Sequence, residues 1–326
     1  MTEALGRVLT FGEPLIVCVP DQEGKLSTVR SFHTDCAGAE FNTAVGLARL
    51  QTPVAYAALV GADPFGDLIR RELRAEGVDD SLLASTAAAP TGMYFKQWSG
   101  LGRDTHVFYY RATSAIATQP WDIEPILARM RDGSLTWVHA TGITWMIGES
   151  ARSRCLDIFK AAQENGLSIS FDANLRLKLG GIDAWKQVMD ETLPFVTWFL
   201  LGDTEAQQLY GTDEPKEVEA MVRKAGFRGR GVLIKRGADG ATLAMDGGST
   251  HIPAWPVPRV VDTVGAGDGF NAGWIAGMVR SWEMKKCMAL GSLVGAYAVT
   301  NPGDYNGYPT WDEAVQSLEG QEGITR

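Results

Sequence analysis

The sequence predicts an α/β fold: a doubly wound, mostly parallel sheet carrying a small β-strand lid. Three features of the 326 residues predict it. Short β-branched or apolar runs alternate with amphipathic stretches along most of the chain, the pattern of parallel strands wrapped by helices. Two segments, within residues 15–35 and 91–111, break that alternation with strand-like pieces and no helix between them. Near the end, residues 260–273 (VVDTVGAGDGFNAG) run from an apolar stretch through glycines into a helical pattern.

Core strands are expected at 8–12, 54–61, 137–142, 167–172, 198–201 and 232–235. A helix over 40–50 sets Phe41, Ala44, Val45 and Ala48 on one face at three- and four-residue spacing. Residues 65–76 and 151–165 read the same way and end beside Gly77 and Gly166, where a left-handed cap would sit. Strands at 93–98 and 106–111 are expected to pair antiparallel through a loop containing Gly100 and Gly102. Such strands would form a lid standing off the core; an edge extension of the main sheet is the other reading. No repeat or long linker divides the chain, so residues 1–326 are expected to form one domain with its lid.

Hydrophobic residues make up 45% and charged residues 21%, ordinary globular usage with a sizeable core. A net charge of -9 argues against a nucleic-acid partner, although local Arg or Lys clusters can still hold an anionic small molecule. Cys18, Cys36, Cys155 and Cys287 lie far apart without a C-x-x-C pair, which fits reduced thiols in a cytoplasmic protein. The opening MTEALGRVLTFGE has no basic-then-apolar leader, and no apolar run reaches about 18 residues, so no membrane partner is expected. The four histidines have no metal spacing.

Gly265, Ala266 and Gly267 precede the helical pattern that begins at Phe270. Glycines at a helix N-terminus let backbone N–H groups approach an anion, and the helix dipole favours negative charge there. Asp268 in that cradle reads in two ways, as a base that takes a proton from a hydroxyl during phosphoryl transfer or as a simple N-cap. On chemistry alone both stay open. The G-x-x-x-x-G-K-[ST] phosphate loop is absent, and 8–24 lacks the G-x-G-x-x-G of a dinucleotide-binding dehydrogenase.

The segment DTVGAGDGFNAGW resembles the C-terminal signature of the ribokinase-like, or PfkB, carbohydrate kinases. AGAEFN at 37–42 with GADPFG at 61–66 is similar to that family's N-terminal signature, and Lys235–Gly240 (KRGADG) resembles its K-x-G-x-x-G nucleotide loop. The resemblance covers nearly the whole chain. It implies Asp268 as catalytic base, the Gly265, Ala266 and Gly267 backbone as anion hole, and ATP with Mg2+ as cofactors. ATP would sit near Lys235, Gly237, Gly240 and Ser292, with Asn174 closer to the phosphates. Where the family has N-x-x-E near the metal, this chain has Gly202 and Glu205, so Glu205 would act on Mg2+ only through water.

Three clusters bear on the acceptor. Gly38 with Asn42, the lid residues Tyr94, Tyr109 and Arg111, and Arg176 after a strand end offer hydroxyl, amide and guanidinium groups suited to a polar, carboxylate-bearing substrate. Solvent-side Asn42, an Arg111 stacked on an aromatic ring and an Arg176 paired with Asp172 or a neighbouring acid are the plainer alternatives. Within the family, FGEPL, GAEFN, TGMYF, VFYYR, DANLR and Asp304 in NPGDYNG look most like the 2-keto-3-deoxygluconate kinases. That likeness implies that Gly38, Asn42, Tyr94, Tyr109, Arg111, Arg176 and Asp304 line a sugar-acid pocket, and that the 6-phosphate is made. A neutral-sugar kinase such as a fructokinase, or a non-catalytic sugar-acid sensor, is the alternative. Exposed lid edges would need covering, which suggests a homo-oligomer joined through the lid.

Overall fold

The computed structural model describes residues 5–22, 24–98 and 105–324. Its first strands are Val8–Phe11 (β1), Leu15–Pro20 (β2), Phe32–Ala37 (β3), Val54–Gly61 (β4) and Asp79–Thr86 (β5). Met93–Trp98 (β6), Thr105–Tyr110 (β7), Trp137–Thr141 (β8) and Ser168–Asp172 (β9) follow. Trp198–Gly202 (β10), Gly231–Lys235 (β11), Ala241–Met245 (β12) and Gly248–Ile252 (β13) complete the set.

Nine strands form one sheet in the order β13-β12-β11-β10-β9-β8-β1-β4-β5. From β11 to β5 all neighbours run parallel, with Val8 registered against both Val54 and Trp137. β4 is buried at every position because helices cover both sides, which is why such strands read as continuous apolar runs. β5 was missed by the sequence reading, its burial being confined to part of its length. β12 and β13 were missed too, although their turn carries a hairpin signal: Asp246 and Gly247 both have positive φ (53° and 75°), as a two-residue Asp-Gly turn requires. Strand order reverses at β1, and in open α/β sheets ligands bind beyond the carboxyl ends of strands at such a point.

The remaining strands form a separate four-stranded sheet, β3-β2-β6-β7, rather than an edge of the main one. β6 and β7 pair antiparallel as expected, with Tyr94 opposite Tyr109, while the loop through Gly100 and Gly102 lies outside the described residues. β2 and β6 run parallel, and β3 continues past the expected boundary at residue 35 to Ala37. One face packs Leu15, Val17, Ala37 and Tyr94 into a small apolar cluster of its own. On the other, Phe95 stands edge-on to Phe32 and Tyr110 at 5.5 and 5.6 Å.

Helix Ala266–Val279 is apolar on all sides and correspondingly buried from Asp268 to Gly277, with helix Met284–Val299 packed along it. Trp274 pins it to the sheet through edge-on contacts with Trp137 and Trp198 at 5.8 and 5.4 Å. Such pairs each add roughly 1 kcal/mol beyond burial. The helix N-terminus is therefore a fixed platform. All four cysteines are buried and unpaired, and among the described residues no helix is long and apolar enough to cross a membrane.

Candidate active site

Every residue expected at the site lines one cavity of about 960 Å³ at the carboxyl edge of the main sheet, beneath the small sheet. Its floor is the start of helix Ala266–Val279. Gly265, the N-cap, has a left-handed φ of 78°, and a Cβ there would lie 1.6 Å from the Asp304 carbonyl oxygen. In the first turn the Gly267 and Asp268 amides have no partner within the helix, and Ala266 N–H makes only a long 3.4 Å contact with Thr263 O. This is an anion cradle with the positive end of the helix dipole behind it.

Asp268 is the third residue of that helix and makes no capping bond, so the N-cap reading does not describe it. Asn42 Nδ2 donates to its Oδ2 at 2.8 Å, and Asn174 Nδ2 approaches its Oδ1 at 3.5 Å. Burial pushes the Asp268 carboxyl up to about 7, with the Asp172 charge acting in the same direction against Asn42, Lys235 and Arg176. A buried carboxyl held near neutrality, beside an anion cradle, has the properties of a general base.

Asn42 lies inside helix Ala39–Arg49, and its side chain is buried rather than on the solvent side. Gly38 opens that helix at φ 142°, where a Cβ would come within 2.6 Å of the Glu13 carbonyl oxygen. Asn174 holds a left-handed φ of 43° just past β9, with its N–H on Asp172 Oδ1 at 3.2 Å. The Oδ1 atoms of Asn42 and Asn174 are buried acceptors without a partner, which a bound donor would satisfy.

Sequence reasoning saw Asp172 only as an alternative partner of Arg176. In the structure Lys235 takes it, Nζ to Oδ2 at 2.5 Å, and Asn271 Nδ2 donates to the same oxygen at 2.6 Å. Although burial raises it, Lys235 and Asn271 hold Asp172 below its ordinary value. The same Lys235 Nζ would be 3.3 Å from a Cβ on Gly267, so it stands beside the cradle. Gly237 and Gly240 continue the wall from Lys235. Ser292 also lines the cavity, but its Oγ accepts the Trp255 N–H at 2.8 Å and so fixes the segment that follows β13. Glu205 accepts the Leu175 and Gly202 N–H groups at 2.9 and 2.7 Å, and burial raises its pKa. These two bonds fix the carboxylate in place at the cavity wall, where it could hold a water of a bound metal ion.

The small sheet supplies the cover. Arg111 stacks on Tyr109, 5.6 Å from the ring centre, and its Nε donates to buried Glu13 at 2.6 Å. Glu13 also accepts Ser114 Oγ, which makes it a positioning residue that FGEPL contained but that was not singled out. Arg176 pairs weakly with a neighbouring acid, Glu205, at 3.9 Å rather than with Asp172, and its side chain is 51% exposed. Asp304 receives Tyr94 OH at 3.3 Å and Lys96 Nζ at 3.0 Å. Lys96 was also missed, although it shares the strand face of Tyr94.

A buried carboxyl and an anion cradle in one cavity fit phosphoryl transfer to a small molecule. The family model described as "pfkB family carbohydrate kinase" matches residues 6–311. This chain belongs to that family. The pfkB carbohydrate kinase is 33% identical to a 2-dehydro-3-deoxygluconokinase of Bacillus subtilis, over 97% of this chain and 96% of that protein. It is 30% identical to a fructokinase of Klebsiella pneumoniae, over 96% and 99% respectively. Among solved structures, the 2-dehydro-3-deoxygluconokinase of Thermotoga maritima superposes with a TM-score of 0.82 at 25% identity, covering 96% of this chain and 98% of that one. The ribokinase-like fold and the ATP-dependent sugar kinase activity expected from the motifs are thereby borne out.

Proposed function

We propose that this pfkB kinase transfers the γ-phosphoryl group of Mg·ATP to the terminal hydroxyl of 2-dehydro-3-deoxygluconate (2-keto-3-deoxygluconate). The observation that carries the reading is Asp268, buried at the cradle with a pKa near neutrality, in a cavity that also holds Arg111, Arg176 and two tyrosines. Asn42 holds Oδ2 of the base, leaving Oδ1, with only the long Asn174 contact, to take the proton. The hydroxyl attacks the γ-phosphorus in line. The Gly265–Gly267 backbone and Lys235 offset the charge that spreads over the phosphoryl oxygens. Mg2+ enters with ATP, and Glu205 fits a role in orienting its water.

Arg176, half exposed and weakly paired, is available to a substrate carboxylate, and Arg111 presents its stacked fork nearby. The small sheet acts as the lid, excluding water that would otherwise accept the phosphoryl group. A second reading, fructokinase, is favoured by one observation: Arg111 and Lys96 are already neutralised by Glu13 and Asp304. ADP release with Mg·ATP against 2-dehydro-3-deoxygluconate, its galactonate epimer, gluconate, fructose and ribose separates them. Turnover confined to the keto-deoxy acids is expected; preference for fructose would overturn the acid assignment while leaving Asp268 in place.

Phe108 and Tyr110 on the outer face of the lid are 45% and 64% exposed, an aromatic surface suited to a second copy of the chain. Sedimentation velocity over a concentration series is expected to give a dimer that Tyr110→Glu converts to monomer. A wild-type monomer at all concentrations would remove this assembly.

A further inference from the structure

We propose that Lys96 is a positioning residue: its buried ion pair with Asp304 fixes that carboxylate for the sugar and ties the small sheet to the start of the anion cradle. The inference rests on the sugar site argued above. Lys96 lies on the inner face of the small sheet with Leu15, Val17 and Tyr94, registered opposite Val107 and two residues from Tyr94; Asp35, opposite Val17, shares that face. Side-chain exposure is 7% for Lys96 and 8% for Asp304, and an ammonium buried that deeply is held only with a partner.

The pair holds Asp304 in one geometry. Lys96 Nζ takes Oδ1 at 3.0 Å and Tyr94 OH takes Oδ2 at 3.3 Å, leaving the remaining lone pairs to face the cavity. The Asp304 carbonyl meanwhile packs where a Gly265 Cβ would be, 1.6 Å from it. Farther along the segment, Tyr308 OH donates to Gly265 O at 2.6 Å, and Arg49 Nη1 gathers the Tyr305 and Tyr308 carbonyls at 2.9 and 3.2 Å. Asp304 therefore cannot shift without moving either the lid sheet or the residue that opens the cradle. A sugar hydroxyl donating to Asp304 would be registered against both, so loss of the pair is expected in the sugar KM and, through Gly265, in kcat, while the nucleotide wall at Lys235, Gly237 and Gly240 is not part of the linkage.

The test compares Lys96→Met, Lys96→Arg, Asp304→Asn and the Lys96→Met/Asp304→Asn double variant. Each is assayed with the better of 2-dehydro-3-deoxygluconate and fructose, and each is melted. Lys96→Met is expected to raise the sugar KM by about tenfold or more, since it strands a buried carboxylate, with the Mg·ATP KM within about twofold. Lys96→Arg is expected to recover to within about threefold of wild type, and the double variant to match Asp304→Asn within about twofold, because the two residues act as one unit. A wild-type sugar KM in Lys96→Met, or losses that add in the double variant, would overturn the proposal. Should Lys96→Met fail to fold, the double variant, which buries no lone charge, is expected to fold and decides the matter by the same comparison. A wild type silent on both sugars would defeat the substrate reading instead. The melts then judge the pair, the double variant being expected to melt above Lys96→Met and a lower melt counting against it.

Discussion

Asp268→Asn is expected to lower kcat by about 10³-fold with little change in either KM, because a positioned base contributes on that order and the amide keeps the shape and the Asn42 contact. Steady-state ADP release measures it. Loss of sugar binding with kcat preserved would move the residue from chemistry to recognition. In the wild-type enzyme burial pushes the same carboxyl up to about 7 before substrates bind, so kcat/KM should fall about tenfold per pH unit below neutrality and level off above it.

The raised pKa also has a stability consequence whose sign is opposite to that of a salt-bridged aspartate. Below the ordinary value of 3.8 the Asp268 carboxyl is protonated in both folded and unfolded chains, and above about 7 it is ionised in both. Between those limits the unfolded chain loses its proton first, so folding stability contributed by this group falls as pH rises from about 4 to 7. A shift of roughly three units corresponds to at most about 4 kcal/mol. Asp268→Asn does not carry this cost, and should therefore unfold at higher denaturant than wild type at pH 8, with the advantage shrinking toward pH 4. An advantage independent of pH would assign the effect to packing rather than charge. A site that is costly when empty is one that substrates and counter-charges repay on binding.

The cradle half of this site was legible because it is local. DTVGAGDGFNAG places turn, cradle and proposed base within a few residues, and a left-handed φ of 78° dictates the glycine that opens it, Gly265. The parallel core strands were legible for a similar reason, burial on both faces leaving an unbroken apolar signature. What stayed hidden depends on residues distant in the chain. Lys235 reads as part of a nucleotide loop, yet its ammonium pairs with Asp172, 63 positions earlier. Glu13 finds Arg111 across 98 positions, and Lys96 finds Asp304 across 208. No spacing rule reports such pairs, so Arg111 was read without its counter-charge and Lys96 was passed over. Hence the sequence overstated how much positive charge Arg111 offers a substrate. Ser292 was placed in the right wall without a partner for its hydroxyl; the Trp255 amide that uses it lies 37 residues before it and outside any helical register.

Gly265→Ala should be nearly as damaging as loss of the base, with kcat down about 10²-fold, the scale of a lost oxyanion donor. Two effects combine. A left-handed φ of 78° costs an L-residue about 1 kcal/mol, and the added Cβ would overlap the Asp304 carbonyl, a backbone atom that cannot rotate away. Relief requires the helix start and the Asp304 segment to separate, which tilts the cradle amides away from the phosphoryl group and loosens the sugar site together. The contrast two residues on isolates the cause. At Gly267 the φ is helical, and an added Cβ would meet only Lys235 Nζ at 3.3 Å, the end of a flexible side chain. Gly267→Ala is therefore expected to cost less than about tenfold in kcat, below the scale of a lost donor. Equal losses at the two positions would mean that open space above the cradle, not the geometry of its first residue, is what the glycines provide.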